Sequence, residues 1–137
     1  MFTLQQIHEA HSKVKSGADF PKYMQDIIDL GVTSFETFVS DNHTNYKGEN
    51  DFSISSDGFT ETLIIADECN AEQFKSDLKA HQQGQTDYLT FLNDCAKSGI
   101  EKWAVLMDQM TCAYFDKKGE AILVEKIPSV KKNDLLP

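Results

Sequence analysis

The chain has 137 residues, of which 22 are acidic and 13 are basic, so its formal net charge is −9. This length suits a single domain that buries about two-thirds of its unfolded surface, and folding should need neither disulfides nor metal ions. All 13 basic residues are lysines, so the chain lacks the arginine side chains that commonly hold phosphate groups. An acidic chain without a basic patch is not expected to bind nucleic acid directly.

Other bulk properties narrow the class further. The apolar content of 40 % and the charged content of 26 % are those of an ordinary globular protein. The longest apolar runs, such as Leu63–Ala66, are too short to cross a bilayer, and no membrane partner is expected. The N-terminal residues do not have the pattern of an export signal, which predicts a cytoplasmic protein. Three irregularly spaced cysteines, Cys69, Cys95 and Cys112, predict reduced thiols in or near the core.

Capping residues and apolar residues spaced by three and four predict four helices. In the first helix, Thr3 and Gln6 have the spacing of a capping box, and Phe2 and Ile7 have that of a hydrophobic staple. Each helix is predicted to end at a glycine. With their cap residues and closing glycines, the predicted helices are Thr3–Gly17, Asp19–Gly31, Asn70–Gly84 and Asp87–Gly99.

Alternating apolar and polar residues between turn signals predict the strands. Pro128 disfavours a further central strand after the last of them, and Lys131–Pro137 is interpreted as a polar tail. The predicted strands are Thr33–Ser40, His43–Lys47, Phe52–Ser56, Thr60–Ala66, Glu101–Asp108, Thr111–Phe115 and Glu120–Lys126.

The predicted elements recur at an offset of 67 or 68 residues. We therefore predict two copies of a helix-helix-strand-strand-strand unit, at about 2–68 and 69–130, within one domain at 1–130. The fold class is predicted to be α+β, with helices covering one side of an antiparallel sheet. The alternative is a chance likeness between two generic helix-hairpin segments. Residues 1–68 carry a net charge of −8 and residues 69–137 a net charge of −1, which directs any electrostatic partner to the first copy.

Asp41, His43 and Tyr46 form the densest polar and aromatic cluster in the sequence, where a turn enters a predicted strand. A carboxylate beside an imidazole is a plausible start for acid–base chemistry. No activated nucleophile accompanies the cluster, so a structural role is favoured over catalysis. The three residues are kept as candidate contacts to a ligand or partner.

His8 and His11 are three residues apart and share one face of the first predicted helix. Two ligands do not complete a metal site, so no metal is expected, and both are interpreted as positions at the edge of the core. The chain contains neither glycine-rich nucleotide motifs nor the G-x-S-x-G motif of hydrolases. No cofactor is expected, and the sequence favours a protein that is not an enzyme.

Three segments, at 34–46, 72–88 and 99–103, resemble the YbcV/YdfO-like family. These are small bacterial proteins of unknown function, found partly in cryptic prophages and often labelled phage envelope proteins. The resemblance extends from Phe2 to about Val130 and departs from the family pattern at Lys47. It implies an α+β fold and a cytoplasmic, single-domain protein, and it brings no established catalytic residues.

Three functional hypotheses follow. The first is a non-enzymatic, prophage-related protein that binds a protein partner or itself. The second is a small-ligand binding domain, or an enzyme of undetected type, with a cleft near Asp41, His43 and Tyr46. The third is an acidic mimic of nucleic acid, which requires a ribbon of carboxylates on one face. Its candidate carboxylates are Asp26, Asp29, Glu36, Asp41, Glu49 and Asp51.

Overall fold

A computed structural model describes residues 2–14, 19–59 and 61–127. Within these ranges, the element order helix-helix-strand-strand-strand occurs twice. The first half contains α1 (Leu4–His11), α2 (Phe20–Leu30), β1 (Val32–Phe38), β2 (Thr44–Gly48) and β3 (Ser53–Ser55). The second half contains α3 (Ala71–Gln82), α4 (Tyr88–Lys97), β4 (Ile100–Leu106), β5 (Thr111–Asp116) and β6 (Ala121–Lys126). The predicted polar tail lies outside the described residues.

The predicted helix starts are confirmed, and three of them have side-chain caps. Thr3 and Gln6 form the capping box of α1, while Asn70 and Asp87 accept hydrogen bonds from backbone N–H groups of α3 and α4. These bonds satisfy N–H groups that have no partner within the helix.

The predicted end of α1 at Gly17 is wrong, because the helix already ends at His11. The next residue, Ser12, donates a hydrogen bond from its hydroxyl to the carbonyl oxygen of Glu9 at 2.6 Å. A serine that bonds to nearby backbone in this way competes with helical hydrogen bonding. Gly17 itself lies outside the described residues.

The six strands form one antiparallel sheet in the order β3-β2-β1-β4-β5-β6. This architecture confirms the predicted α+β class. The first strand of each half, β1 and β4, pair at the centre, where Glu36 lies opposite Ala104. Hydrogen bonds on either side of this pair, from Met107 to Thr33 and from Val39 to Glu101, extend the contact.

The two halves correspond in backbone register at an offset of 68. Phe35 pairs with Tyr46 in the first half, and Trp103 pairs with Tyr114 in the second. The irregularity in β1 at residues 32–34 recurs in β4 at residues 100–102. The two halves therefore share one backbone arrangement, while an origin by duplication stays a prediction.

All four helices pack on one face of the sheet, where alternate side chains of the strands point into the core. Phe74 of α3 is fully buried against Tyr114 of β5, with ring centroids 4.9 Å apart. Cys95 and Cys112 are buried and Cys69 is half-buried, which confirms their predicted location in or near the core. The opposite face of the sheet has no helix packed on it among the described residues.

The predicted strand at residues 60–66 is wrong for 61–66, and residue 60 lies outside the described residues. Residues 61–70 run past the end of α4, with hydrogen bonds from Leu63 N to Ser40 O and from Ala66 N to Ala96 O. The neighbouring strand β1 is paired on both edges, with β2 and β4. Within the described ranges, the outer edge of β3 is free, but Leu63 and Ile65 pack against the core instead of extending the sheet, and their segment satisfies its backbone N–H groups with these two carbonyl oxygens.

Candidate functional site

Asp41 and His43 lie together in the turn between β1 and β2. The Asp41 carboxylate accepts a hydrogen bond from the backbone N–H of His43 at 3.0 Å, and its Oδ1 lies 2.6 Å from Nδ1 of the ring. The backbone hydrogen bond from His43 is the main cause that lowers the pKa of Asp41, and the ring contributes as well. The His43 ring stacks on Phe38 with centroids 4.5 Å apart. The pair is partly exposed, so a ligand or partner could reach it.

Tyr46, the third predicted site residue, does not join this pair. It is buried on the helix-covered face, where its hydroxyl interacts with Tyr23 of α2 and its ring packs against Phe35. Burial is the main cause that raises the pKa of its hydroxyl. Successive strand residues point to opposite faces, so Tyr46 belongs to the core. The ligand-binding hypothesis for Asp41 and His43 stays a prediction without it.

Sequence reasoning missed a row of side chains beside His43 on the sheet face that bears no helix. Lys102 Nζ lies 5.5 Å from the ring centroid of Phe38 and 5.6 Å from that of Phe115. The same ammonium group is 3.2 Å from a carboxylate oxygen of Glu36. Cations over aromatic rings are favourable, and this row spans the boundary between the two halves. The pairing of β4 with β1 on one side and with β5 on the other brings these residues together.

The sheet face without helices, which we term the uncovered face, differs between the two halves. In β1–β3 it is polar apart from Phe38, and in β4–β6 it is mainly apolar apart from lysines such as Lys102. Leu106 is 41 % exposed and Val124 is 57 % exposed there. The polar residues are Ser34, Asn45, Lys47, Ser53 and Ser55, and the apolar ones are Ala104, Leu106, Ala113, Phe115 and Val124.

A shallow depression of about 520 Å³ lies at the edge of the first half. It is lined by the end of α2 and the start of β1, by residues 106–108 at the end of β4, and by Glu49. Glu49 and Asp108 give its rim a negative charge. None of the predicted site residues lines it, and sequence reasoning did not identify it.

The carboxylates proposed for mimicry of nucleic acid do not form a ribbon. Asp26 lies on α2, on the covered side of the sheet, and is paired with Lys22. Glu36 lies on the opposite side, paired with Lys102, and Asp41 is bonded to His43. Because these groups are divided between two faces and are partly neutralised, the arrangement does not favour mimicry.

The predicted interpretation of His11 as an edge-of-core residue fits its contacts. Its ring packs edge-on against Tyr23 at a centroid distance of 5.2 Å. Burial, with a smaller contribution from His8, lowers the pKa of His11. No three His, Cys, Asp or Glu side chains are grouped to hold a metal ion within the ranges that the structure describes.

The cysteines do not supply a nucleophile of raised reactivity. Burial raises the pKa of Cys112 to about 12 and raises that of Cys95 even further. Burial also raises the pKa of Cys69. The thiolate is the reactive form of cysteine, so burial disfavours the reactive form of all three side chains.

The fold defines the class of the protein: an α+β domain whose antiparallel sheet, within the described residues, is covered by helices on one face. The chain belongs to a family described as a protein of unknown function (DUF1398), whose sequence profile matches residues 8–126. A comparison with curated proteins found no match. No helix among the described residues has both the length and the apolar character needed to span a membrane.

Proposed function

We propose that the protein is a non-enzymatic interaction domain that associates with a second copy of itself. The contact surface is the β4–β6 face, whose apolar side chains are Ala104, Leu106, Ala113, Phe115 and Val124, with Lys102 and Lys126 at its margins. The observation that carries the proposal is the exposure of neighbouring apolar side chains on these strands, including Leu106 and Val124. Contiguous apolar patches of this kind typically become buried when two proteins associate.

The charge distribution favours a second copy as the partner. Residues 69–137, which include the β4–β6 face, carry a net charge of −1, whereas residues 1–68 carry −8. Two copies that meet through their second halves keep the strongly acidic halves apart, which limits their repulsion. Such a dimer would have twofold symmetry, with the same patch used on both copies.

The proposal includes a biological setting. The resemblance to the YbcV/YdfO-like proteins supports a prophage-related origin, within the family of unknown function to which the chain belongs. Three free cysteines suit a reducing compartment, so we propose a cytoplasmic location. The shared register of the two halves, at an offset of 68, supports an origin by duplication.

Light scattering over a concentration series tests the proposal with a matched pair of variants. Val124→Glu introduces a charge into the apolar patch on the edge strand β6, and Ser55→Glu introduces the same charge on the edge strand β3, on the polar part of the same face. We expect a dimer for the unmodified protein and for Ser55→Glu. Val124→Glu should weaken dimerisation at least tenfold, which is about 1.4 kcal/mol, because each copy would bury an unpaired carboxylate.

Circular dichroism verifies that both variants keep the fold. A monomer at every concentration of the unmodified protein would refute the proposal, as would a dimer that resists Val124→Glu. Equal losses in both variants would show that net charge, and not the β4–β6 face, controls association.

A further inference from the structure

The second half of the molecule contains a groove that is filled by the chain itself. Its occupant is the segment 61–70, which connects the two halves. Leu63 and Ile65 point inward, whereas Ile64 between them is 91 % exposed. We term this site the occupied groove and the depression in the first half the open groove.

Backbone and charge contacts hold the segment in the occupied groove. Leu63 N donates to Ser40 O at 2.6 Å, and Ala66 N donates to Ala96 O at 2.9 Å. Two residues beyond the buried Ile65, the carboxylate of Asp67 lies 2.8 Å from Nζ of Lys117. The occupant is therefore an extended segment with two alternate apolar residues, followed by a charge that the rim of the groove neutralises.

Gly99 shows how closely the segment approaches. Its φ is +84°, and a Cβ there would lie 2.6 Å from the carbonyl oxygen of Glu68 and 2.8 Å from Cα of Cys69. Gly31 occupies the corresponding position in the first half, where a Cβ would have only Phe2 nearby, at 3.8 Å. The backbone leaves room for a segment in both grooves, and none of the residues that the structure describes fills the open groove in this way.

The offset of 68 that relates the two halves also relates the two grooves. Ala96 and Gly99 of the occupied groove correspond to Ile28 and Gly31, which line the open groove. Val32 and Met107 provide an apolar floor there, and the corresponding residues of the occupied groove are also apolar. The open groove therefore has the shape and the apolar floor to take an extended segment.

The rims of the two grooves differ in charge. Lys117 of the occupied groove corresponds to Glu49 of the open groove, and Ser40 corresponds to Asp108. The position that binds a carboxylate in the second half thus presents a carboxylate in the first. A segment that suits the open groove needs a cation where Asp67 has an anion.

We propose that the open groove binds an extended segment of a partner protein, with two apolar residues at alternate positions and a lysine two positions further on. The apolar side chains lie on Val32 and Met107, and the lysine pairs with Glu49. This surface is distinct from the β4–β6 face, and the two share only Leu106 at their border. Peptide binding and dimerisation can therefore fail independently.

Synthetic peptides that copy residues 61–69 test the proposal on the full chain. Both peptides carry Cys69→Ser to prevent oxidation, and one of them also carries Asp67→Lys. We expect the lysine peptide to bind at least tenfold more tightly in a fluorescence anisotropy titration. Lys117 repels the same peptide from the occupied groove, so binding reports on the open groove.

A charge reversal in the protein locates the contact. Glu49 is exposed in the turn after β2, so Glu49→Lys should keep the fold and should invert the preference between the two peptides. Asp57→Lys is the matched control, because Asp57 is exposed next to Gly58, which lies against Asp41 at the other end of β1. This control changes the net charge equally and should leave the preference unchanged.

Three outcomes would overturn the proposal. The first is equal affinity for the two peptides, and the second is an identical effect of Glu49→Lys and Asp57→Lys. The third concerns a different occupant: residues 128–137 of the chain itself include Lys131 and Lys132. If a chain that ends at Ile127 binds the lysine peptide at least tenfold more tightly than the full chain, those residues compete for the groove, and a partner segment is not required.

Discussion

The two halves of this molecule share a backbone but present different surfaces. Trp103 and Tyr114 pair as Phe35 and Tyr46 do, so the sheet follows the same register on both sides of its centre. The second half has an apolar uncovered face and a filled groove, whereas the first half has a polar face and an open groove. The pairing and packing that specify a fold therefore leave the outward-facing side chains free to acquire different partners.

The largest expected effect compares equivalent positions in the two helical layers. Ile7 and Phe74 occupy the fourth helical position of α1 and α3, and both are fully buried. Phe74→Ala should cost about 4 kcal/mol of unfolding free energy, and Ile7→Ala about 3 kcal/mol, because the larger ring leaves the larger cavity. Urea denaturation measures both losses. A greater loss for Ile7→Ala would show that the first half contributes more to stability.

A second comparison tests the contact between the connecting segment and the occupied groove. Gly99 and Gly119 have nearly the same φ, +84° and +83°, but only Gly99 has backbone atoms within reach of an added Cβ. Gly119→Ala should cost about 1 kcal/mol through backbone strain alone. Gly99→Ala should cost about 3 kcal/mol, because the added methyl group also displaces the segment.

Urea denaturation again provides the measurement, and Gly119→Ala serves as the matched control for strain. Equal losses for the two variants would contradict the close approach of residues 68 and 69. In that case, the occupied groove would not be a valid template for the open one.

The smallest expected effect is a dependence on pH that belongs to the first half. His11 corresponds to the buried Leu78 in the second half, and its pKa is lowered below the ordinary value of about 6.5. The folded state thus favours the neutral ring. The contribution of the neutral His11 ring to the free energy of unfolding is complete above about pH 6.5. It declines as the pH falls through the lowered pKa, because the unfolded chain then binds the proton more readily than the folded chain does. Solvent screening keeps the effect small.

This dependence is measured by the urea midpoints between about pH 7.5 and about pH 5, which lie about one pH unit or more on either side of the ordinary histidine pKa. His11→Leu, which copies Leu78, should flatten it, and His8→Gln should reduce it by removing a neighbouring positive charge. An unchanged slope in His11→Leu would assign the dependence to other groups.

Local signals predicted the elements well, since they depend on neighbouring residues. The caps at Thr3, Asn70 and Asp87 correctly marked helix starts. The end of α1 was missed because Ser12 forms a hydrogen bond that the pattern does not reveal. The segment 61–66 has the apolar composition of a strand, but its apolar side chains pack against the core and its backbone bonds to Ser40 and Ala96, and local composition does not reveal these distant partners.

The candidate site was predictable only in part. Asp41 and His43 are close in sequence, so their contact follows from the local turn. The separation of Tyr46 from them was available from strand periodicity, because residues three apart on a strand point to opposite faces. The stacking of Lys102 between Phe38 and Phe115 needed the register of three strands. The proposed contact at Glu49 depends on the tertiary structure, which places Glu49 on the rim of the open groove and its equivalent, Lys117, beside Asp67.

By itself, the sequence determined the α+β class, the helix starts, the approximate positions of six strands and the uneven charge of the two halves. These properties arise from capping, periodicity and composition, which act over a few residues or over the whole chain. Only the tertiary structure decided that β1 and β4 meet at the centre, that residues 61–70 fill one groove, and that the equivalent groove is open. Those outcomes depend on contacts between distant residues, where pairing and packing select among segments that look alike locally.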